Sequence, residues 1–170
     1  LVDPDWYLKM IPNAAHIAQG KGPDVLSVTT PTGTWRLGPF ICYEDILPRF
    51  VREAANQGVH VLVNSTNDAW FGKTHEPTQH LGLAVFRTVE HRKGMVRAVN
   101  TGVSTYIDPT GAAIEKTRVT DPDIDGPQGA DGVLAEVPMM DPQARTIYGA
   151  TGELFDVLMG LGLVVIGWRR

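Results

Sequence analysis

The chain has 170 residues, 43% of them hydrophobic and 20% charged, which is room for one domain with a real core. A formal net charge of −4 argues against nucleic acid as the main partner. A single cysteine excludes an internal disulfide and any multi-cysteine metal centre, while 18 Gly and 12 Pro require many turns between short elements.

The chain opens on Leu1, with no initiator Met and no signal-peptide pattern, and closes on an apolar run; both ends read as those of a piece of something longer. Asp5 to Ile11 suits a short helix and Ala14 to Lys21 a loop carrying His16. Val25–Thr30 is β-branched and roughly alternating, Pro31–Thr34 is a turn, and Trp35 begins a return strand that runs into Cys42. Residues 37–45, Leu-Gly-Pro-Phe-Ile-Cys-Tyr-Glu-Asp, lead from apolar to acidic across the cysteine. Locally Cys42 reads first as a buried structural thiol, the commonest state of free Cys. The alternative is a nucleophile at a strand-to-helix junction, its sulfur exposed beside backbone N–H groups.

Asp45 is placed to cap the next helix, with Pro48 in its first turn. Ile46, Leu47, Phe50, Val51, Ala54 and Ala55 give one apolar face, and Gly58 ends it. Residues 59–63 form a short apolar strand, so strand, helix and strand make a parallel crossover buried on both faces. The segment 64–72, Asn-Ser-Thr-Asn-Asp-Ala-Trp-Phe-Gly, then leaves the strand's C-terminal end, where α/β sheets build their sites. It should therefore share an edge with Cys42. Asn64, Asn67 and Asp68 suit turn chemistry as well as a site, and Trp70 and Phe71 suit core packing as well as a site.

Residues 76–97 read as one long helix, with Arg87 and Glu90 paired on its face. His75, His80 and His91 lack the spacing and company of a metal set, and His80, beside Gln79, is assigned to local hydrogen bonds; no metal is expected. Residues 103–107 and 112–116 form a hairpin, 118–132 a polar loop and 132–137 a last strand. The start of that loop, Asp121 to Gly126, is like a calcium loop, but Gly132 stands where the last acidic ligand belongs. Residues 157–168 carry no charge, and the stretch 154–168 is Gly-rich and apolar all round, ending at Trp168-Arg169-Arg170. As a helix it spans roughly 22 Å against the roughly 30 Å of a bilayer core, which suits a core helix as well; its apolar character all round and its Trp-Arg-Arg end favour the start of a truncated transmembrane helix over 153–170, after a domain over 1–152.

Cys42-Tyr43-Glu44, then Asn67-Asp-Ala-Trp-Phe-Gly72, Gln79-His80 and Arg97-Ala-Val-Asn-Thr-Gly-Val-Ser104 stand in an order that resembles the nitrilase-like (carbon–nitrogen hydrolase) domain. More narrowly the set is similar to the apolipoprotein N-acyltransferase family, over about residues 20–168. The resemblance implies the C-terminal half of an α-β-β-α sandwich facing the periplasm of a bacterial inner membrane. It implies an acyltransferase that moves a fatty acyl chain from a phospholipid, through a cysteine thioester, to the N-terminal amine of a diacylglyceryl-cysteine apolipoprotein. Carried over, Cys42 is the nucleophile, Glu44 a supporting carboxylate and the Tyr43 backbone an oxyanion donor. Trp70, Phe71 and Asn67 are expected at the substrate, with no cofactor. The family's Glu base and Lys have no counterpart motif here; Lys9, Lys21, Lys73, Lys93 and Lys116 do not match it. Glu44 is a poor substitute base, because a carboxylate beside a thiolate repels it. The chain alone is therefore expected to be inactive. A soluble amidase of the same superfamily, and a membrane-anchored domain that kept the fold but lost catalysis, are the alternatives.

Overall fold

The computed structural model describes residues 20–72, 74–117 and 131–168. The expected N-terminal helix, His16, Lys9, Lys73, the calcium-like stretch and Arg169-Arg170 lie outside these residues.

Strands β1 (Leu26–Thr30) and β2 (Gly33–Ile41) form the expected hairpin, with Thr30 opposite Gly33. β2 then pairs in parallel with β3 (Val61–Thr66), and β3 in parallel with β4 (Met95–Val99). β5 (Thr105–Ile107) and β6 (Ala113–Lys116) extend the sheet antiparallel, giving six strands in the order β1 to β6. Helix α1 (Pro48–Asn56) links β2 to β3, and α2 (Glu76–His91) links β3 to β4. Both crossovers step the same way across the sheet. Right-handed connection therefore puts both helices on one face, where they touch each other. There Phe40, Leu62, Met95 and Ile107 of the sheet close on Val51, Ala54, Val59 and Ala84. The α/β reading holds, with a mixed sheet. The described residues supply one sheet with helices on one face.

Side-chain alternation places the rest. One residue row across the sheet is Gly38, Leu62, Met95 and Ile107; the next in-facing row is Phe40, Asn64, Arg97 and Thr105. The first row is apolar, and the second, one step nearer the C-terminal edge, is mostly polar. The same face thus turns from core into site within one residue pair.

Several boundaries differ from expectation. The helix expected over 76–97 stops at His91, because Arg92 turns left-handed at φ +51° and Met95–Val99 is needed as the third parallel strand. Sheet pairing of Val96 and Val99 outweighs the helical periodicity. The strand placed at 59–63 runs from Val61 to Thr66, which puts Asn64 inside the ladder. Asp45 does not cap α1: Leu47 occupies that place, Pro48 begins the helix as expected, and Asp45 turns inward, fully buried. Residues 132–137 form no strand; they line a cavity of about 370 Å³ over Val96, Ala98 and Tyr106. β4 and β5 already have both edges paired, so no edge is left for them there. Arg87 and Glu90 pair as expected, at 2.7 Å.

Helix α3 (Ile147–Thr151) docks on α1 and α2 through polar contacts. Arg52 Nε and Asn56 Nδ2 both donate to Gly149 O, at 3.0 and 2.9 Å, and Thr146 Oγ1 donates to Glu90 O at 2.5 Å. His91 packs its ring against Tyr148. α4 (Leu154–Trp168) follows, with Val157, Leu158, Leu161, Leu163, Val164 and Ile166 all exposed. No helix of the described residues is long and apolar enough to cross a membrane.

Two predictions follow from this packing. A Cβ on Gly94 would lie 2.7 Å from the buried Tyr106 ring, so Gly94→Ala should cost about 1–3 kcal/mol in chemical denaturation. Burial, then the charges of Arg87, Arg52 and Lys93, push the His91 pKa from 6.5 down to about 4. The unfolded chain takes up this proton near pH 6.5 and the folded chain only near pH 4. Stability is thus intact above 6.5 and falls as pH drops toward 4, by about 3 kcal/mol from this residue. His91→Phe should flatten the denaturation midpoint over that window, and an unchanged acid loss would refute the assignment.

Candidate active site

β2 ends at Ile41 and the chain tightens at once into a 3-10 turn over Cys42–Ile46. Cys42 opens this turn at φ +52°, a left-handed conformation that side chains with a Cβ rarely adopt. Its free thiol is half-buried, not enclosed as the local sequence first suggested. Glu44 folds back so that its Oε2 accepts the Ile41 backbone N–H at 2.8 Å, and Asn64 Nδ2 donates to the Cys42 carbonyl at 3.0 Å. The backbone is thus held one residue before the thiol, at the Ile41 N–H, and at the thiol residue's own carbonyl.

The neighbouring strand end supplies the second wall. A 3-10 turn over Asp68–Phe71 follows β3, and Asn67 Oδ1 caps it by accepting from Ala69 N at 3.1 Å. Trp70 is 84% exposed. Phe71 packs edge-on against Tyr43, ring centroids 5.7 Å apart. Cys42 and segment 64–72 thus share an edge, as the crossover implied. Of the expected substrate residues, Phe71 touches the thiol turn, Trp70 faces solvent, and Asn67 holds the turn that presents both. A cavity of about 330 Å³ opens beside Glu44, lined also by Phe50 and Lys21. Lys93, in contrast, is buried with its Nζ on the Asp141 carbonyl.

Beneath the two turns lies a buried charge cluster that pattern reading missed. Arg97 Nη1 donates to Asp45 Oδ2 at 2.5 Å and to Asn64 Oδ1 at 3.2 Å, and Nη2 donates to Asp68 Oδ2 at 3.3 Å. His80 bridges the same carboxylates, Nε2 to Asp45 at 2.9 Å and Nδ1 to Asp68 at 3.0 Å. Thr66 Oγ1 adds a donor to Asp68 at 3.0 Å. Burial alone would lower the His80 pKa, as would Arg97. The hydrogen bond and charge of Asp45, with the Asp68 bond, overcome both and raise it. A protonated His80 sets a second cation beside Arg97 against Asp45 and Asp68, with Glu76 a further carboxylate 3.9 Å from its Nδ1. This contribution is present below pH 6.5 and is lost as pH rises through the raised value, opposite in sign to His91. Tyr43 stacks over His80 at 4.6 Å between ring centroids and donates its hydroxyl to Glu76. Burial, then Glu76, raise the Tyr43 pKa and keep it a donor.

His80 does satisfy hydrogen bonds, but to Asp45 and Asp68 across the fold, not locally. Asp68, Glu76 and His80 bring ligand atoms within 4.8 Å of one another. Both His80 nitrogens and both Asp68 oxygens are already engaged, and Arg97 stands beside them, so the donor set fits an ion-pair network better than a cation site. A signal for the cluster does exist in the sequence: Asn64 and Arg97 keep the in-facing parity of Leu62 and Met95 and are polar where the core should continue.

Arg97→Met would leave Asp45 and Asp68 with only His80 between them and without the guanidinium, at a cost of about 3–5 kcal/mol. The double variant Asp68→Asn/Arg97→Met should lose less than Arg97→Met alone; equal losses in denaturation would argue against the pairing.

Comparison with known proteins fits this arrangement. The carbon–nitrogen hydrolase family model matches residues 7–125. The chain is 46% identical over 110 residues to an apolipoprotein N-acyltransferase of Bdellovibrio bacteriovorus, covering 65% of this chain and 20% of that protein. It is 36% identical over 132 residues to apolipoprotein N-acyltransferase 2 of Leptospira interrogans, covering 77% and 21%. The chain therefore spans about a fifth of the length of these relatives. Among solved structures, an amidase from Nesterenkonia sp. superposes with a TM-score of 0.50 at 25% identity, covering 62% of this chain and 41% of the amidase. A family match over more than half of the chain, on a mixed sheet with its thiol at a parallel strand's end, makes this chain a member of the carbon–nitrogen hydrolase family.

Proposed function

We propose that Cys42 is the nucleophile of an acyl transfer in lipoprotein maturation. The thiolate attacks the ester carbonyl of a phospholipid, a thioester forms, and the lysophospholipid alcohol leaves with a proton. The N-terminal amine of a diacylglyceryl-cysteine apolipoprotein then attacks the thioester, an amide forms, and the thiol is restored. The Tyr43 backbone N–H is assigned to the oxyanion, and Glu44 to holding the turn. Trp70 and Phe71 meet the acyl donor, on the turn held by Asn67.

The observation that carries this reading is the half-buried Cys42 held at φ +52° at the end of a central parallel strand, with Phe71 packed on the residue after it. The relatives' activity and the exposed apolar side chains of α4 support a lipid substrate and a site of action at the bacterial inner membrane, the domain facing the periplasm. The general base and the activating lysine are assigned to residues outside this chain, so that the 170 residues alone form no thioester.

In the complete protein, Cys42→Ala should abolish labelling of the enzyme by a phospholipid carrying a radiolabelled acyl chain, and with it N-acylation of a lipopeptide. Retained N-acylation would refute the nucleophile. The acceptor separates the amidase alternative: N-acylated lipopeptide supports the transferase, while free fatty acid as the sole product, whatever amine is offered, would point to hydrolysis.

A further inference from the structure

Cys42 is the one residue at the site whose backbone conformation needs an external cause. A left-handed φ is disfavoured for any residue with a Cβ and persists only where surrounding contacts over-determine it. Glu44 accounts for one side of the turn, by accepting the Ile41 N–H at 2.8 Å. The other side rests on a side chain from a different strand. Asn64 is fully buried, and its Nδ2 donates to the Cys42 carbonyl at 3.0 Å.

An asparagine amide presents a donor or an acceptor depending on which way it is turned, and the two ends are nearly the same size. Arg97 removes that freedom. Its Nη1 donates to Asn64 Oδ1 at 3.2 Å, and an arginine has no acceptor to offer, so the amide nitrogen must face Cys42. Asn64 and Arg97 are opposite each other in the β3–β4 register, on the face that carries the core. Arg97 is itself aimed by Asp45 and Asp68, which His80 ties together.

We propose that Asn64, oriented by Arg97, is a positioning residue that holds Cys42 in its left-handed conformation and so sets the direction of the thiol. This rests on the reading of Cys42 as nucleophile, and goes beyond it by assigning the control of the nucleophile's geometry to a buried pair that need not touch substrate. If Asn64 did not hold the carbonyl, φ at Cys42 would relax toward the ordinary negative region and swing Cβ and Sγ away from the attack direction.

The test uses the complete protein and the substitution Asn64→Asp. Aspartate keeps the volume and an oxygen for Arg97, but places an oxygen instead of an N–H against the Cys42 carbonyl. With Cys42 intact, the single-turnover rate of acylation at saturating phospholipid should fall on the order of 100-fold, as for a misplaced reacting atom, while KM for the donor stays about constant. A second comparison contains no thiol. Cys42→Gly should melt above Cys42→Ala, because only alanine is strained at this φ, and the gap should shrink when Asn64→Asp is added. An unchanged gap, or acylation at the parental rate, would overturn the proposal. If Asn64→Asp does not fold, Arg97→Lys serves in both measurements with the same expected outcomes: it keeps a charge between Asp45 and Asp68 but replaces the rigid fork by a point donor, releasing the Asn64 amide. The melting comparison reads the clamp without acyl transfer, and Cys42→Ala reads the nucleophile without the clamp, so the two readings fail separately.

Discussion

Arg97 sits between Asp45 and Asp68 with almost no exposed surface, and three segments of the chain meet there. Asp45 comes from the thiol turn, Asp68 from the turn after β3, and Arg97 from the middle of β4. Burying a guanidinium is costly unless its charge is paired, so each carboxylate is held in place by the desolvation that its loss would expose. His80 closes the arrangement from α2 and, when protonated, adds a second cation against the carboxylates. The two turns that form the candidate site are fastened to each other through this cluster more than through direct contact.

That constraint explains why the site is polar just below its surface and apolar one residue row deeper. Leu62 and Met95 meet the helices as core, while Asn64 and Arg97, two residues further along the same strands, carry the cluster. No extra element is needed to make a site at this edge. The chain substitutes hydrogen-bonding groups for hydrocarbon where the strands run out and the helix N-terminus arrives. Tyr43 and Phe71 then roof the cluster with aromatic surface, next to the half-buried thiol.

The second polar cluster, at the far ends of α1 and α2, has a different character. Arg52, Asn56 and Thr146 fasten α3 by hydrogen bonds to backbone carbonyls, and His91 stays neutral among cations. It fixes where the exposed apolar helix α4 departs from the domain. The two buried histidines thus respond to acid in opposite senses: His80 favours the folded state when protonated and His91 when neutral.

Much of this was legible in the residues. β-branched alternation and the glycine–proline turn marked the β1–β2 hairpin, and the apolar spacing of Phe50, Val51, Ala54 and Ala55 marked α1. The order Cys-Tyr-Glu, then Asn-Asp-Ala-Trp-Phe, pointed to the family before any geometry was known, because these are short-range patterns. Sequence also placed the thiol and the aromatic turn on one edge, since a parallel crossover leaves no other choice. What it could not show was decided by strand register. The end of α2 at His91, the burial of Asp45 in place of a capping role, and the meeting of residues 45, 64, 68, 80 and 97 all depend on which row of one strand lies beside which row of the next. A sequence lists polar residues without saying which share a dielectric environment. Only the packed sheet removes water from around them, and only then do a lone arginine and a lone histidine become partners that hold the thiol's turn.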